Sequence, residues 1–225
     1  ITKDYNLFKY IFMKNYFNFI LVLTFAIASC EKKETIETEK NYPKVVSFKY
    51  NGSLVDYNVI KKDYSIDANG NQLSKKITKL WLDRNLGASR VATSTSDSLA
   101  SGDLFQWGRL ADGHQLRNSD LTEMIATSIN PNHNKFIANL LGSNWLTNNN
   151  DSLWNYSTNS NCSCPTGWRV PTTDELKLEM NSWSSNDING AFDSPLKWTA
   201  GGERDNHGTI RYTNDWAFIW SSTPK

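Results

Sequence analysis

The sequence predicts an α+β domain in which antiparallel strands precede a well-marked helix. Apolar residues alternate along residues 45–60 on both sides of an Asn51-Gly52 pair, which can supply the two positive-φ positions of a hairpin turn. Thr172 can cap a later helix, and Glu175, three residues on, can complete a capping box. Loops rich in Asn, Ser, Thr and Gly join these elements.

Further elements follow from turn chemistry and apolar periodicity. Residues 67–71 (DANGN) predict a turn rather than a calcium loop, because the glycine comes too early and no bidentate Glu follows at the required distance. Residues 77–82 predict a strand. Residues 121–127 and 135–141 predict two short helices, since apolar positions of the second fall on one helical face.

The N-terminal region has the pattern of a bacterial lipoprotein signal peptide at residues 13–29. Lys14 precedes an apolar run at residues 17–27, and two small residues lead into Cys30. A transmembrane anchor is the weaker interpretation, because a span needs roughly 20 apolar residues. We therefore expect a lipid on the Cys30 thiol. Residues 1–12 are expected to be translated upstream sequence.

Residues 30–43 form a charged segment that predicts a solvated tether between the lipid and the folded domain. Two acyl chains on one cysteine hold a protein firmly at a membrane. The expected location is the outer membrane, with a lipid anchor and the domain on the cell surface or the periplasmic face. The expected environment is oxidising.

Cys162 and Cys164 are the only cysteines besides Cys30. A disulfide between residues two apart closes a strained ring, so each thiol is expected to be free or to pair elsewhere. A metal site is disfavoured, because no second cysteine pair exists and the three histidines are scattered. No metal and no cofactor are predicted.

Composition narrows the class of partner. The 24 Lys and Arg residues balance 23 Asp and Glu residues, so no basic field exists to attract nucleic acid. Nine Trp, nine Tyr and ten Phe occur among many small polar residues, which favours a loop-rich extracellular domain over a helical cytosolic enzyme. Such residues also suit the recognition of sugars or proteins.

Four segments in order carry a family resemblance. They are residues 81–88 (WLDRNLGA), 102–109 (GDLFQWGR), 164–175 (CPTGWRVPTTDE) and 216–223, which end in WSST. Together they resemble the Fibrobacter succinogenes major paralogous domain, a family of bacterial surface and secreted proteins. The resemblance implies a C-type-lectin-like domain at residues 80–225, with a twisted antiparallel sheet, one or two helices and long loops. Residues 44–79 would extend the sheet or form a preceding module.

The resemblance also implies structural roles for several residues. Pro and Gly turns around Trp168 and Arg169 are expected to bury the indole beneath the capped helix. Arg169 is expected to pair with a carboxylate, either Glu175 or Asp103. The expected structural residues are Trp81, Trp107, Cys164, Trp168, Arg169, Glu175 and Trp220. Of these, Trp168 and Trp220 are expected to be core residues and not ligand platforms.

One feature departs from the family pattern. Members similar to this chain continue into a final strand whose cysteine would pair with Cys164. The chain is therefore expected to be C-terminally truncated, which would leave a sheet edge exposed and Cys164 without its partner.

The predicted function is recognition of a glycan or a protein through the loops of residues 200–216. The candidate contacts are Arg204, Asn206, Arg211 and Tyr212, which present hydrogen-bonding groups and an aromatic ring on a rigid scaffold. Calcium-dependent sugar binding is disfavoured, because none of the motifs Glu-Pro-Asn, Gln-Pro-Asp and Trp-Asn-Asp occurs.

Two alternatives remain open. A structural envelope lipoprotein without a ligand is compatible with every feature above. An enzyme of the formylglycine-generating type would share the fold and use the thiols of Cys162 and Cys164, but both lie in the predicted turn before Trp168. No catalytic residue is predicted, and the protein is expected not to be an enzyme.

Overall fold

The computed structural model of the chain describes residues 42–142, 144–155 and 161–224. The predicted signal peptide, the lipidation site Cys30 and residues 30–41 of the tether lie outside these residues. Within them, antiparallel strands and few helices form a sheet-rich α+β fold. The sheet has three strands in the order β1 (Val45–Tyr50), β2 (Ser53–Ile66) and β3 (Gln72–Leu82).

The predicted hairpin is confirmed. Strands β1 and β2 pair from Tyr50 opposite Ser53 to Val45 opposite Asn58, and φ is positive at both residues of the intervening Asn-Gly turn. Strand β2 runs six residues beyond its predicted end, as far as the tight turn at residues 67–71. The Asp67 carboxylate accepts hydrogen bonds from the backbone N–H groups of Asn69 and Asn71, which joins β2 directly to β3.

The capped helix is also confirmed. Helix α1 spans Thr173–Asn181, and the Thr172 hydroxyl and the Glu175 carboxylate form the reciprocal capping box. A second helix, α2 (Ile188–Asp193), was not predicted. The Asp187 carboxylate caps its first turn through the N–H groups of Asn189 and Gly190. No helix in the described residues is long and apolar enough to span a membrane.

The two other predicted helices are wrong. Residues 121–127 and 135–141 contain β4 (Leu121–Thr122) and β5 (Phe136–Ile137), which pair in parallel. The buried Gln106 amide accepts from the Ile137 N–H and donates to its carbonyl, so these backbone groups are unavailable for a helix. Strands β6 (Glu203–Arg204) and β7 (Ile210–Arg211) form a last small ladder.

Two apolar clusters hold the domain together. The first packs α1 and α2 around Trp198, whose ring contacts Trp81 of β3 and Trp183 at centroid distances of 6.4 and 5.6 Å. The second lies beneath the loops and is centred on Trp145 and Leu153, with Trp107 packed against it. The sheet and helices thus form one layer and the loops around β4 and β5 another.

A buried polar network stabilises the loop layer. The Arg109 guanidinium is fully buried and donates to the carboxylate of Asp112, the amide oxygen of Gln106 and the carbonyl of His133. The His114 Nε2 accepts from the Gln106 N–H at 3.0 Å, so Nδ1 carries the proton donated to Asp112. Burial lowers the pKa of His114, which keeps the ring neutral.

The sheet is joined to the helices by the buried carboxylate of Glu179 in α1. Its oxygens accept from Lys62 Nζ at 2.7 Å and from the Tyr64 hydroxyl at 2.5 Å, both on β2. The Trp183 indole and the Ser194 hydroxyl donate to the same carboxylate at 2.9 and 2.6 Å. A charge with no solvent exposure is tolerated because each oxygen has several donors.

Replacing Glu179 with Gln should destabilise the domain by about 3–5 kcal/mol, because a fully buried carboxylate with several donors is lost and the partly buried Lys62 ammonium loses its counter-charge. Urea unfolding followed by tryptophan fluorescence measures this loss. Glu123→Gln is the matched control, because Glu123 is exposed and its change should stay within about 0.5 kcal/mol. Equal unfolding midpoints for the two variants would contradict the assignment.

Candidate functional site

A groove with a volume of about 460 Å³ opens between the sheet and the loops. Its walls are residues 78–82 of β3, residues 167–171 and residues 217–220, and we call it the central groove. Ser101, residues 103–105 and Trp154 also line it. The volume falls in the range of pockets that bind small or extended ligands.

Aromatic side chains dominate the lining. Trp168 and Trp220, which the sequence predicted to be core residues, are instead half-buried and line the groove. The Trp220 indole donates to the Phe105 carbonyl at 2.8 Å, which fixes its orientation. Trp107, by contrast, lies outside the groove. The seven aromatic lining residues are Trp81, Phe105, Trp154, Trp168, Trp198, Phe218 and Trp220.

An ion pair fixes one wall of the groove. The Arg169 guanidinium donates two hydrogen bonds to the Glu175 carboxylate, both at 2.8 Å, which selects Glu175 over Asp103 as its partner. Lys79 of β3 donates to the same carboxylate at 2.9 Å. Burial opposes ionisation of Glu175, but hydrogen bonds from Arg169, Lys79 and the Thr172 N–H outweigh it and lower the pKa to about 2.

This carboxylate should make the domain sensitive to acid. The folded-state pKa of Glu175 is below the value of 4.5 for the unfolded chain, so its contribution is present above pH 4.5 and is lost as the pH falls toward 2. We expect the unfolding midpoint of the wild type to fall over this range more steeply than that of Glu175→Gln. Parallel curves in urea titrations at pH 6, 4 and 3 would contradict the ion-pair assignment.

Cations outnumber carboxylates around the groove. Arg117 donates to the carbonyls of Gly102 and Gly201 at 2.8 and 2.9 Å and therefore holds two loops together. Asp103 accepts from the Tyr50 hydroxyl, and burial raises its pKa. The charged lining residues are Lys79, Arg84, Arg117 and Arg169 with Asp103 and Glu175, and Arg84 pairs with Asp83 beside the groove at 2.7 Å.

Both described cysteines are free, and Cys164 lines the groove. A hydrogen bond from the Cys164 thiol lowers the pKa of Cys162. The same interaction, together with burial, raises the pKa of Cys164. Since the thiolate is the reactive form, Cys162 is the more nucleophilic of the two.

Removing the hydrogen-bond donor should therefore slow the alkylation of Cys162. In Cys164→Ala the Cys162 thiolate loses the hydrogen bond from the Cys164 thiol, and the reaction of Cys162 with iodoacetamide at pH 7.5 should slow several-fold. Cys164→Ser keeps a hydroxyl donor and should react at nearly the wild-type rate. Peptide mapping by mass spectrometry separates Cys162 from Cys30. Faster alkylation in Cys164→Ala would contradict this account.

The predicted ligand loop is largely tied to the domain. Arg204 donates to the Gly208 carbonyl and to the hydroxyl and carbonyl of Ser119. Asn206 donates to the carbonyls of Asn139 and Gly142 at 3.2 and 3.1 Å. These two side chains therefore fasten β6 and the following turn to distant loops, so their donors already have partners.

The other two predicted contacts differ. Arg211 pairs with the neighbouring Asp205. Tyr212 is 44% exposed and contacts the rings of Trp216 and Phe218, and Phe218 lines the groove. Only Tyr212 of the four thus adjoins the groove. Phe218 and Trp220 were missed as site residues, although their spacing of two already indicates side chains on one face of an extended segment.

In the described part of the chain, no three His, Cys, Asp or Glu side chains converge to hold a metal ion. Comparison with protein-family models, curated proteins and solved structures finds no match for this chain. The family resemblance therefore stays a prediction based on sequence motifs, and function has to be argued from the groove.

Proposed function

We propose that the chain is a lipid-anchored protein of the bacterial surface or outer membrane, with a C-type-lectin-like recognition domain. The central groove, rather than the loop of residues 200–216, is the proposed site for a glycan or protein ligand. The observation that carries this proposal is the convergence of seven aromatic residues with charged groups in one groove of about 460 Å³.

The fold and the sequence motifs support the lectin-like part of the proposal. A small antiparallel sheet with few helices carries long irregular loops, which is the arrangement that the resemblance implies. All four motif segments contribute lining residues, including Trp81, Asp103, Trp168 and Trp220. The lipid anchor rests on the signal-peptide pattern of residues 13–29 and on Cys30.

Recognition accounts for the groove better than catalysis does. Formylglycine-generating chemistry requires two thiols that reach a substrate, and only Cys164 lines the groove whereas Cys162 does not. A purely structural lipoprotein would leave half-buried tryptophans at an open groove without a role. Aromatic rings at such positions contribute large contact areas at low cost in side-chain entropy.

The proposal is tested with the full 225-residue chain in mild detergent, on a glycan array and in a pull-down from envelope extracts. A ligand captured by the wild type should bind Trp168→Ala at least tenfold more weakly, because the ring that lines the groove is lost. Trp168→Phe keeps an aromatic face and is the matched control.

Binding should be unchanged by EDTA. Two results would overturn the proposed function: no ligand in either assay, or a ligand that binds Trp168→Ala as tightly as the wild type. Thermal unfolding of both variants shows whether a loss of binding reflects a loss of folded protein.

A further inference from the structure

The buried ring of His114 holds the segment of residues 104–106 in place. Its Nε2 accepts a hydrogen bond from the backbone N–H of Gln106 at 3.0 Å. The carbonyl of the next residue, Gln115, accepts from the Leu104 N–H at 2.8 Å. A backbone N–H can only donate, so this geometry requires an Nε2 without a proton. The hydrogen bond between His114 and Gln106 therefore exists only while the ring is neutral.

This segment connects the ring to two other parts of the domain. Phe105 lines the central groove, and its ring contacts the His114 ring at a centroid distance of 5.9 Å. The Phe105 carbonyl also accepts from the Trp220 indole. The Gln106 amide, in turn, binds both backbone groups of Ile137 in β5. A displacement of residues 104–106 would thus affect the groove lining and the loop layer together.

A second proton on the ring would have no acceptor. Nδ1 already donates to the Asp112 carboxylate at 2.8 Å, so protonation places the new N–H at Nε2, against the Gln106 N–H. Two donors then face each other at a side chain with no solvent exposure. A buried cation that lacks a hydrogen-bond partner is costly, so the protonated ring favours an open arrangement.

The charges around the ring also oppose protonation. In the described part of the chain, the charged groups that act on it are Asp112 and Arg109 of the same loop and Arg204 of β6. Asp112 favours the imidazolium, but its carboxylate also accepts from the Arg109 guanidinium at 2.8 Å. Burial is the main reason why the pKa of His114 is lowered, and the two guanidinium groups act in the same direction.

From this arrangement we infer that His114 is an acid-sensitive latch between residues 104–106 and the rest of the loop layer. When Nε2 takes up a proton from solvent, an N–H bond forms there, the hydrogen bond from the Gln106 N–H breaks, and residues 104–106 separate from residues 114–115. The groove lining at Phe105 and the contact of Gln106 with β5 then loosen. The latch is a property of the fold and does not depend on which ligand the groove binds.

The latch should act in a pH range of its own. The pKa of His114 in the folded chain is below the value of 6.5 for the unfolded chain, so its stabilising contribution is present above pH 6.5 and is lost as the pH falls toward the folded-state pKa. The contribution of Glu175 is lost only below pH 4.5. Opening of the latch at mildly acidic pH is therefore separable from loss of the Glu175 ion pair.

Hydrogen–deuterium exchange of the full chain in mild detergent measures this opening, because the N–H groups of Leu104 and Gln106 exchange only when their bonds break. In the open form His114 titrates with an ordinary pKa, so the open population should rise about tenfold between pH 7.5 and 5.5. We expect the protection of both N–H groups, corrected for the intrinsic exchange rate, to fall by this factor.

Low concentrations of urea distinguish the latch from global unfolding. Local opening exposes little surface, so exchange at Gln106 should be faster than in the ladder between β1 and β2 and should not respond to urea below 1 M. If exchange at Gln106 has the same rate and the same urea dependence as in that ladder, the segment opens only when the whole domain unfolds. This result would overturn the latch.

Variants of the histidines identify the titrating group. His114→Gln keeps an amide oxygen that can accept from Gln106 but has no proton to gain, so the pH dependence of exchange should disappear. The matched controls are His133→Gln, where Nδ1 of the native ring accepts from the Lys135 N–H, and His207→Gln at an exposed position. Both controls should keep the tenfold response of the wild type.

The ring itself gives a reading that needs no variant. In ¹⁵N spectra of the wild-type imidazole, the closed form should keep its proton on Nδ1 at pH 5.5. A charged His114 ring in the closed form would overturn the latch, as would wild-type protection that does not change with pH or a response that survives in His114→Gln. If thermal unfolding shows that His114→Gln does not fold, the wild-type exchange and the ring spectra decide.

Discussion

The buried carboxylate of Glu179 is the interaction on which the rest of the structure depends. It accepts from Lys62 and Tyr64 on β2, from Trp183 just after α1 and from Ser194 just after α2, so it joins sheet to helices at one point. The Tyr64 hydroxyl in turn accepts from the Trp81 indole at 2.8 Å. Because Trp81 lines the central groove, one hydrogen-bonded chain extends from the buried charge to the groove.

Helix α1 positions both sides of the groove. Its inner face carries Glu179 and fixes the sheet, whereas its first turn carries Glu175, which binds Arg169 on the opposite wall and Lys79 on β3. These two carboxylates lie four residues apart, which is one helical turn. Two carboxylates of one helix thus connect β3, the sheet and the wall that carries Arg169.

Local signals predicted the parts of the fold that local interactions determine. The Asn-Gly hairpin and the Thr172 capping box involve residues at most a few positions apart. The helix predicted at residues 135–141 does not form, because the side chain of Gln106, about 30 residues away, hydrogen-bonds the backbone N–H and carbonyl of Ile137. The sequence also could not show that the Arg204 side chain already has a partner, because that partner, Ser119, lies 85 residues away. The groove could not be predicted, since its walls meet only in the folded chain.

The charge pattern along β3 explains how an open edge can persist in a folded protein. Exposed edges invite unwanted pairing, and lysines on them prevent it. Lys75 and Lys76 are exposed on the first half of β3, which lies outside the groove. In the second half, Lys79 pairs with Glu175, and Leu80 and Leu82 border a groove with aromatic walls. The edge is therefore charged outside the groove, whereas within the groove its one lysine is held by a carboxylate of α1.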